Sequence, residues 1–270
     1  MTLSPFSCIM AVLWFTIFVA IAELLRRKMG FVFHYHVGSL LILMSVCIIR
    51  LFLPIELPFA YLIEDEYFLP ILQSTLCTPF FVVKEVEISI LTIAAFVWFI
   101  GAVHRVFLMI KNQYRDSAFM SALYPVEAEH ADVMLRALAD RTRPHQPYRL
   151  IVTPDVMEPY TLGIFRPTIL LPAEDASSDR LQNILFHEWQ HILNGDQIVR
   201  LLIEILRCLM WFNPITVLLK RNLDEGLELL CDSSVVKGMT EKEEISYFRY
   251  ILDIAARAVI MKSMASGTAM

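Results

Sequence analysis

The chain has 270 residues, of which 57% are hydrophobic and 19% charged, against about 45–50% and 25% in ordinary soluble domains. With 18 Phe and only 8 Gly, the composition excludes a disordered or fibrous protein. The formal net charge of −5 argues against a protein that binds nucleic acid directly. The surplus of apolar residues instead predicts a chain that is partly embedded in a lipid bilayer.

Three apolar runs within residues 1–115 predict three transmembrane helices, at residues 7–25, 37–53 and 88–110. Basic residues follow the first run, at Arg26, Arg27 and Lys28, whereas a signal peptide carries them before its apolar core. The first run is therefore predicted to be an uncleaved membrane helix.

The charges between these runs predict the orientation of the chain. The first link is basic, whereas residues 54–87 carry six acidic residues and one lysine. Because basic loops stay in the cytoplasm, we expect the N-terminus outside and residues 54–87 to form an acidic extracytoplasmic loop. Everything after Lys111 is then predicted to be cytosolic, on a multi-pass protein of the cytoplasmic membrane.

Residues 116–270 have the mixed pattern of a cytosolic α+β domain. Residues 148–153 and 168–171 are strand-like, and Ser177–Asp179 offers an N-cap for a helix that Asn194-Gly195 would end. The second strand is predicted to be either an edge strand that binds an extended peptide substrate or an ordinary buried strand. Its candidate substrate-binding residues are Thr168, Ile169 and Leu170.

The predicted helix carries an H-E-x-x-H motif at residues 187–191. His187 and His191 are four residues apart and project from the same helix face, so both imidazoles can bind one metal ion. Glu188 is placed to take a proton from a water molecule that the metal activates. The motif therefore predicts a catalytic metal site, which requires a third protein ligand.

Glu228 is the best candidate for that third ligand, and Asp232 follows it on the same helix face. In this interpretation Asp232 orients a ligand histidine from behind. Cys231 is a rival ligand in principle, but two histidines and one glutamate suit a hydrolytic zinc site better. We therefore predict one catalytic Zn²⁺.

Between the two motifs lies a long apolar stretch, which a hydropathy plot would assign to the membrane. A full crossing would place Glu228 on the opposite side from His187. A helical hairpin over residues 198–232, turning at Asn213-Pro214, solves this problem and lets its apolar tip dip into the membrane.

The chain resembles the M56 membrane metallopeptidases, the family of the BlaR/MecR-type β-lactam sensor-transducers. The resemblance covers nearly the whole chain and rests on motifs in a fixed order. These motifs are RLFLP at 50–54, PYTLG at 159–163, RPTILLP at 166–172, the H-E-x-x-H motif with Asp196, WFNP at 211–214, and Glu228 with Cys231 and Asp232.

The resemblance implies a gluzincin-like zinc metalloprotease with His187, His191 and Glu228 as zinc ligands and Glu188 as catalytic acid and base. It also implies a cytosolic or membrane-proximal protein substrate, such as a transcriptional repressor in a signalling pathway. The alternative is a non-catalytic membrane signal transducer or scaffold that keeps a zincin fold. The sequence leaves open whether the chain forms a homodimer or works with a separate sensor protein.

Signalling members of the family also carry a penicillin-binding sensor domain outside the membrane. In this sequence the loop at residues 54–87 has no S-x-x-K motif and is too short for such a fold. We therefore expect that a β-lactam does not acylate this polypeptide.

Overall fold

The computed structural model describes residues 5–27, 78–83, 86–142, 147–178, 180–237, 239–249 and 251–252, with single positions at 46, 49, 71, 74, 75, 77 and 256. The predicted second membrane helix and most of the acidic loop lie outside these residues. Two compact units are distinguished: residues 1–116 with 203–222, and residues 117–202 with 223–270.

The first unit contains the first and third predicted membrane helices. Helix α1 spans Pro5–Arg27, and α2 spans Ile90–Ala122, so α2 continues well past its predicted end at Ile110. Among the helices of the described ranges, α2 is long and apolar enough to cross a bilayer, while the apolar part of α1, Ile9–Leu24, is shorter. The strands β1 (Phe81–Val83) and β2 (Val86–Ile88) form an antiparallel pair before α2.

Helices α6 (Asp196–Leu209) and α7 (Ile215–Val236) flank the predicted turn at Asn213-Pro214. The turn is held within the first unit, where Asn213 Nδ2 donates to Thr16 Oγ1 at 2.7 Å. Two tryptophans add further bonds: Trp98 Nε1 donates to the Leu209 carbonyl at 2.8 Å, and Trp211 Nε1 donates to the Trp98 carbonyl at 3.1 Å. Residues 203–222 thus pack with α1 and α2, although the sequence analysis assigned the whole hairpin to the C-terminal domain.

The second unit contains a three-stranded sheet made of β3 (Arg149–Thr153), β4 (Tyr160–Leu162) and β5 (Thr168–Pro172). Strand β5 lies in the middle, parallel to β3 and antiparallel to β4. All five of its residues are buried. The expectation that Thr168, Ile169 and Leu170 form a peptide-binding edge strand is therefore wrong, because both edges of β5 are already paired.

Alternation along the strands gives the sheet two apolar faces. One face packs against α3 (Glu129–Thr142) and α5 (Leu181–Asn194), and the other against residues around Leu123. Trp189 of α5 is fully buried in the larger core, and its Nε1 donates to Thr142 Oγ1 at 3.0 Å. The largest buried members of this core are Leu135, Ile169, Leu171, Leu181, Ile184, Leu185 and Trp189. These contacts fix the helix that carries the H-E-x-x-H motif.

The two ends of α5 differ in how well the sequence predicted them. The N-cap predicted within residues 177–179 is wrong: α5 begins after Arg180 without a side-chain cap bond, and Ser178 Oγ instead donates to the Asp175 carbonyl of α4 (Ala173–Ala176). The predicted C-terminal end is confirmed, because Gly195 adopts a left-handed φ of 71° and donates to the last carbonyls of the helix. This turn leads directly into α6.

Candidate metal centre

Three ligand atoms converge between α5 and α7. His187 Nε2 and His191 Nε2 each lie 3.4 Å from Glu228 Oε2. The two imidazole rings are 5.0 Å apart between centroids and nearly perpendicular, at 80°. The helical spacing of the histidines brings their rings to one side of α5, and α7 supplies the carboxylate.

The three ligand atoms, which we call the donor set, have the chemistry and the spacing that a zinc ion requires. Zinc bonds to histidine nitrogen and carboxylate oxygen are about 2.0–2.2 Å long, so ligand atoms of a tetrahedral site lie about 3.4 Å apart. The measured nitrogen-to-oxygen distances match that value. Two histidines and one glutamate are also a ligand set of catalytic zinc sites, which keep a fourth position open.

His191 is oriented by Asp196, an acid for which the sequence alone predicts no role. Its second ring nitrogen, Nδ1, lies 2.5 Å from Asp196 Oδ2, and both side chains are buried. Cys231 Sγ lies 3.3 Å from the same Nδ1, and therefore on the side of the ring away from Glu228. The Gly195 turn explains this geometry, because it places Asp196 beside the last turn of α5.

His187 has a corresponding pair of partners behind its ring. Its Nδ1 lies 3.1 Å from Asp232 Oδ1 and 2.9 Å from the Tyr247 hydroxyl, which itself donates to Asp232 at 2.7 Å. The structure thus brings Asp232 to His187, as the sequence interpretation required of a ligand histidine. Tyr247, on helix α8 (residues 241–249), was missed, since its only sequence signal is one aromatic residue in an amphipathic segment.

Glu188 lies beside this donor set with only 5% of its surface exposed. Thr161 of β4 donates from Oγ1 to Glu188 Oε2 at 2.8 Å, and Gln197 Nε2 donates to the Thr161 carbonyl at 2.7 Å. Burial raises the pKa of Glu188 above its usual range. A carboxylate in such a place can take up and return a proton.

The acids around the histidines control their protonation in the metal-free site. Burial alone would lower the pKa of His187, but hydrogen bonds to Asp232 and Glu228 raise it to about 9. Burial would also lower the pKa of His191, but hydrogen bonds to Asp196, Cys231 and Glu228 raise it to about 12. Burial would raise the pKa of Glu228, yet the imidazoles hold it well below its usual range. A strong field of negative charge therefore surrounds both rings.

The donor set opens into a cavity of about 390 Å³. Five predicted site residues line it: His187, Glu188, His191, Glu228 and Asp232. Thr168, Ile169 and Leu170 are absent from its lining and lie in the sheet. The cavity is also lined by Glu158, Tyr160, Thr161, Gln197, Arg200 and Tyr247.

Comparison with known proteins identifies the family. The family description "BlaR1 peptidase M56" matches residues 6–270, almost the entire chain. The chain belongs to the M56 peptidase family. The resemblance inferred from the ordered motifs is thereby confirmed.

Curated relatives of this M56 peptidase are distant. "Regulatory protein BlaR1" of Bacillus licheniformis is 25% identical over 158 residues, which cover 58% of this chain and 26% of that protein. "Methicillin resistance mecR1 protein" of Staphylococcus epidermidis is 25% identical over 175 residues, which cover 63% of this chain and 30% of that protein. The matched segment thus spans less than a third of either relative.

Proposed function

We propose that this M56 peptidase is an integral-membrane zinc endopeptidase. The observation that carries the proposal is the convergence of His187 Nε2, His191 Nε2 and Glu228 Oε2, in which the oxygen lies 3.4 Å from each nitrogen, as in a tetrahedral zinc site. Glu188, buried in the same cavity, is the proposed catalytic base and acid.

A bound zinc ion would supply Lewis-acid chemistry, which polarises the peptide carbonyl and makes a water molecule more acidic. Glu188 accepts the proton of the attacking water and then gives it to the leaving amine. Thr161 holds the Glu188 carboxylate by a hydrogen bond. Asp196 and Asp232 accept hydrogen bonds from the Nδ1–H groups of His191 and His187, which keeps the protons on Nδ1 and leaves each Nε2 free to act as a ligand.

The peptide substrate is proposed to lie along β4 instead of β5. Strand β4 pairs with β5 through one edge, and no strand among the described residues covers its other edge. Tyr160 and Thr161 of β4 also line the cavity. An extended peptide added to this edge would pass beside Glu188.

The proposed substrate is a cytosolic or membrane-proximal protein, with a transcriptional repressor as the leading example. The relatives' names refer to regulation and to methicillin resistance, which supports a role in a signalling pathway.

The proposed location is the cytoplasmic membrane, with the N-terminus outside and the peptidase domain in the cytosol. Exposed apolar side chains along α1 and α2 support it, including Leu24 at 64%, Phe96 at 64% and Phe107 at 62% exposed. Cysteine reporters placed at Asp65 and Glu174 should be labelled from opposite sides of the membrane. Labelling of both from one side would refute this topology.

Metal analysis tests the central proposal. The full chain, purified in detergent, should contain about one zinc ion per polypeptide. His187→Ala should lose it, while His130→Ala, an exposed histidine of α3, should keep it. Equal zinc in the wild type and His187→Ala would overturn the proposal, and bound zinc without any peptide cleavage would favour the non-catalytic transducer.

A further inference from the structure

The two oxygens of Glu228 have different neighbours. Oε2 faces both histidines, at 3.4 Å from each Nε2. Oε1 accepts a hydrogen bond from Arg200 Nη2 at 2.8 Å. The guanidinium therefore bonds to Oε1, the Glu228 oxygen that does not face the histidines.

Arg200 also lies beside a second acid of α7. Its Nε lies 3.7 Å from Asp224 Oδ1, and Asp224 and Glu228 are four residues apart, on one face of the helix. Arg200 itself comes from the second turn of α6, is about one-third exposed, and lines the cavity. A planar guanidinium can contact both carboxylates without changing its rotamer.

The denticity of a carboxylate ligand matters for a hydrolytic metal site. A glutamate that binds zinc through one oxygen leaves the fourth position open, whereas one that binds through both oxygens fills part of that space. A charge-assisted bond from Arg200 to Oε1 makes the second mode costly, because the guanidinium would have to give up its partner.

We propose that Arg200 is a positioning residue that keeps Glu228 a one-oxygen zinc ligand. This inference rests on the proposed zinc site and adds a residue that the sequence motif does not contain. Arg200 acts through Glu228 and is not assigned contact with the substrate or the reacting atoms.

The same helix offers a matched control. The sequence shows Arg200, Glu204 and Arg207 as one polar stripe of α6. The structure separates them: Arg207 Nη1 donates to Glu204 at 2.9 Å and contacts no residue of the donor set. Arg207→Gln therefore removes an equally basic side chain from the same helix without touching Glu228.

Zinc affinity of the full chain in detergent, measured by competition with a chromophoric chelator, tests the proposal. We expect Arg200→Gln to bind zinc about 2- to 10-fold more tightly, because Oε1 loses its guanidinium partner and becomes available to the metal. Arg207→Gln should stay within about twofold of the wild type. In a Glu228→Ala background, Arg200→Gln should not change the zinc affinity further, because the carboxylate on which Arg200 acts is gone.

Cobalt substitution gives a readout that a merely structural role would not move. The visible absorption of bound Co²⁺ reports its coordination number, so Arg200→Gln should weaken the intense bands of a four-coordinate ion. Arg207→Gln should leave the spectrum unchanged. Wild-type affinity together with a wild-type spectrum in Arg200→Gln would overturn this inference alone, whereas a wild-type chain that binds no metal would overturn the proposed function.

Discussion

Charged side chains meet at two places along the hairpin of α6 and α7, and they are used differently. In the part that belongs to the first unit, Glu204 contacts Arg207 and Lys220, so its carboxylate is satisfied by cations. In the part that belongs to the second unit, Arg200 takes one oxygen of Glu228 and leaves the other facing two histidines.

The contacts of Glu204 and Glu228 show how a structural ion pair differs from a functional one. A pair whose atoms are all directed at each other adds stability to the helices that carry it. A carboxylate held by a cation through one oxygen, with two histidines gathered at the other oxygen, has the arrangement of a ligand-binding site.

Glu188→Gln should lower peptide cleavage at least about 100-fold, because an amide cannot take up the proton of the attacking water. Zinc content should stay at the wild-type level, since Glu188 is not one of the three converging ligands. Cleavage of a quenched fluorescent peptide library measures the effect, with the exposed Glu174→Gln as control. Cleavage by Glu188→Gln at the wild-type rate would exclude this residue as the base.

Asp196→Ala should weaken zinc binding about 10–100-fold, because His191 would lose the acid that orients its ring. Chelator competition measures the affinity. Asp155→Ala is the control: this acid bonds to Thr153 in a turn and does not line the cavity. Equal affinities of the two variants would mean that the carboxylate behind His191 contributes nothing to the site.

Gly101→Ala should destabilise the first unit by about 1–3 kcal/mol, the usual cost of overpacking. A Cβ atom at this position would lie 2.2 Å from Trp211 Cε2, so the indole or α2 must shift. Thermal unfolding followed by tryptophan fluorescence measures the change, and zinc content should not fall. A smaller loss in a Trp211→Leu background would attribute the effect to this contact, whereas a stability gain would contradict it.

Tyr247→Phe should reduce zinc affinity only about two- to tenfold, the equivalent of one hydrogen bond. Asp232 keeps its own contact with His187 in this variant, so the ring remains oriented. The control is Tyr148→Phe, at a tyrosine that packs against Trp189 in the core. A loss as large as that of Asp196→Ala would show that the hydroxyl, and not Asp232, orients His187.

The features that could be predicted from the sequence are those that depend on neighbours along the chain. The apolar spacing of α5 and the glycine at its end predicted the helix and its C-terminus. The four-residue spacing of His187 and His191 predicted that both rings share a side of that helix, and the structure brings them together with Glu228.

The features that could not be predicted depend on contacts between distant segments. The order of strands in the sheet places β5 in the middle, and no local pattern in this short, buried strand distinguishes a central strand from an edge strand. Thr161, Arg200 and Tyr247 lie on three different elements, and each reaches the site only after folding. Their residue types are common and carry no motif.

The turn at Gly195 sets the order in which the site can assemble. His191 and Asp196 are separated by one turn of chain, so they meet at little entropic cost, whereas Glu228 arrives only after the whole hairpin of α6 and α7 has folded back. The part of the site around His191 and Asp196 is therefore formed by residues that are close in sequence, whereas the contact with Glu228 joins residues that are far apart in sequence. In the proposed zinc site, tight metal binding would require a completed hairpin, which would couple metal loading to the final folding step.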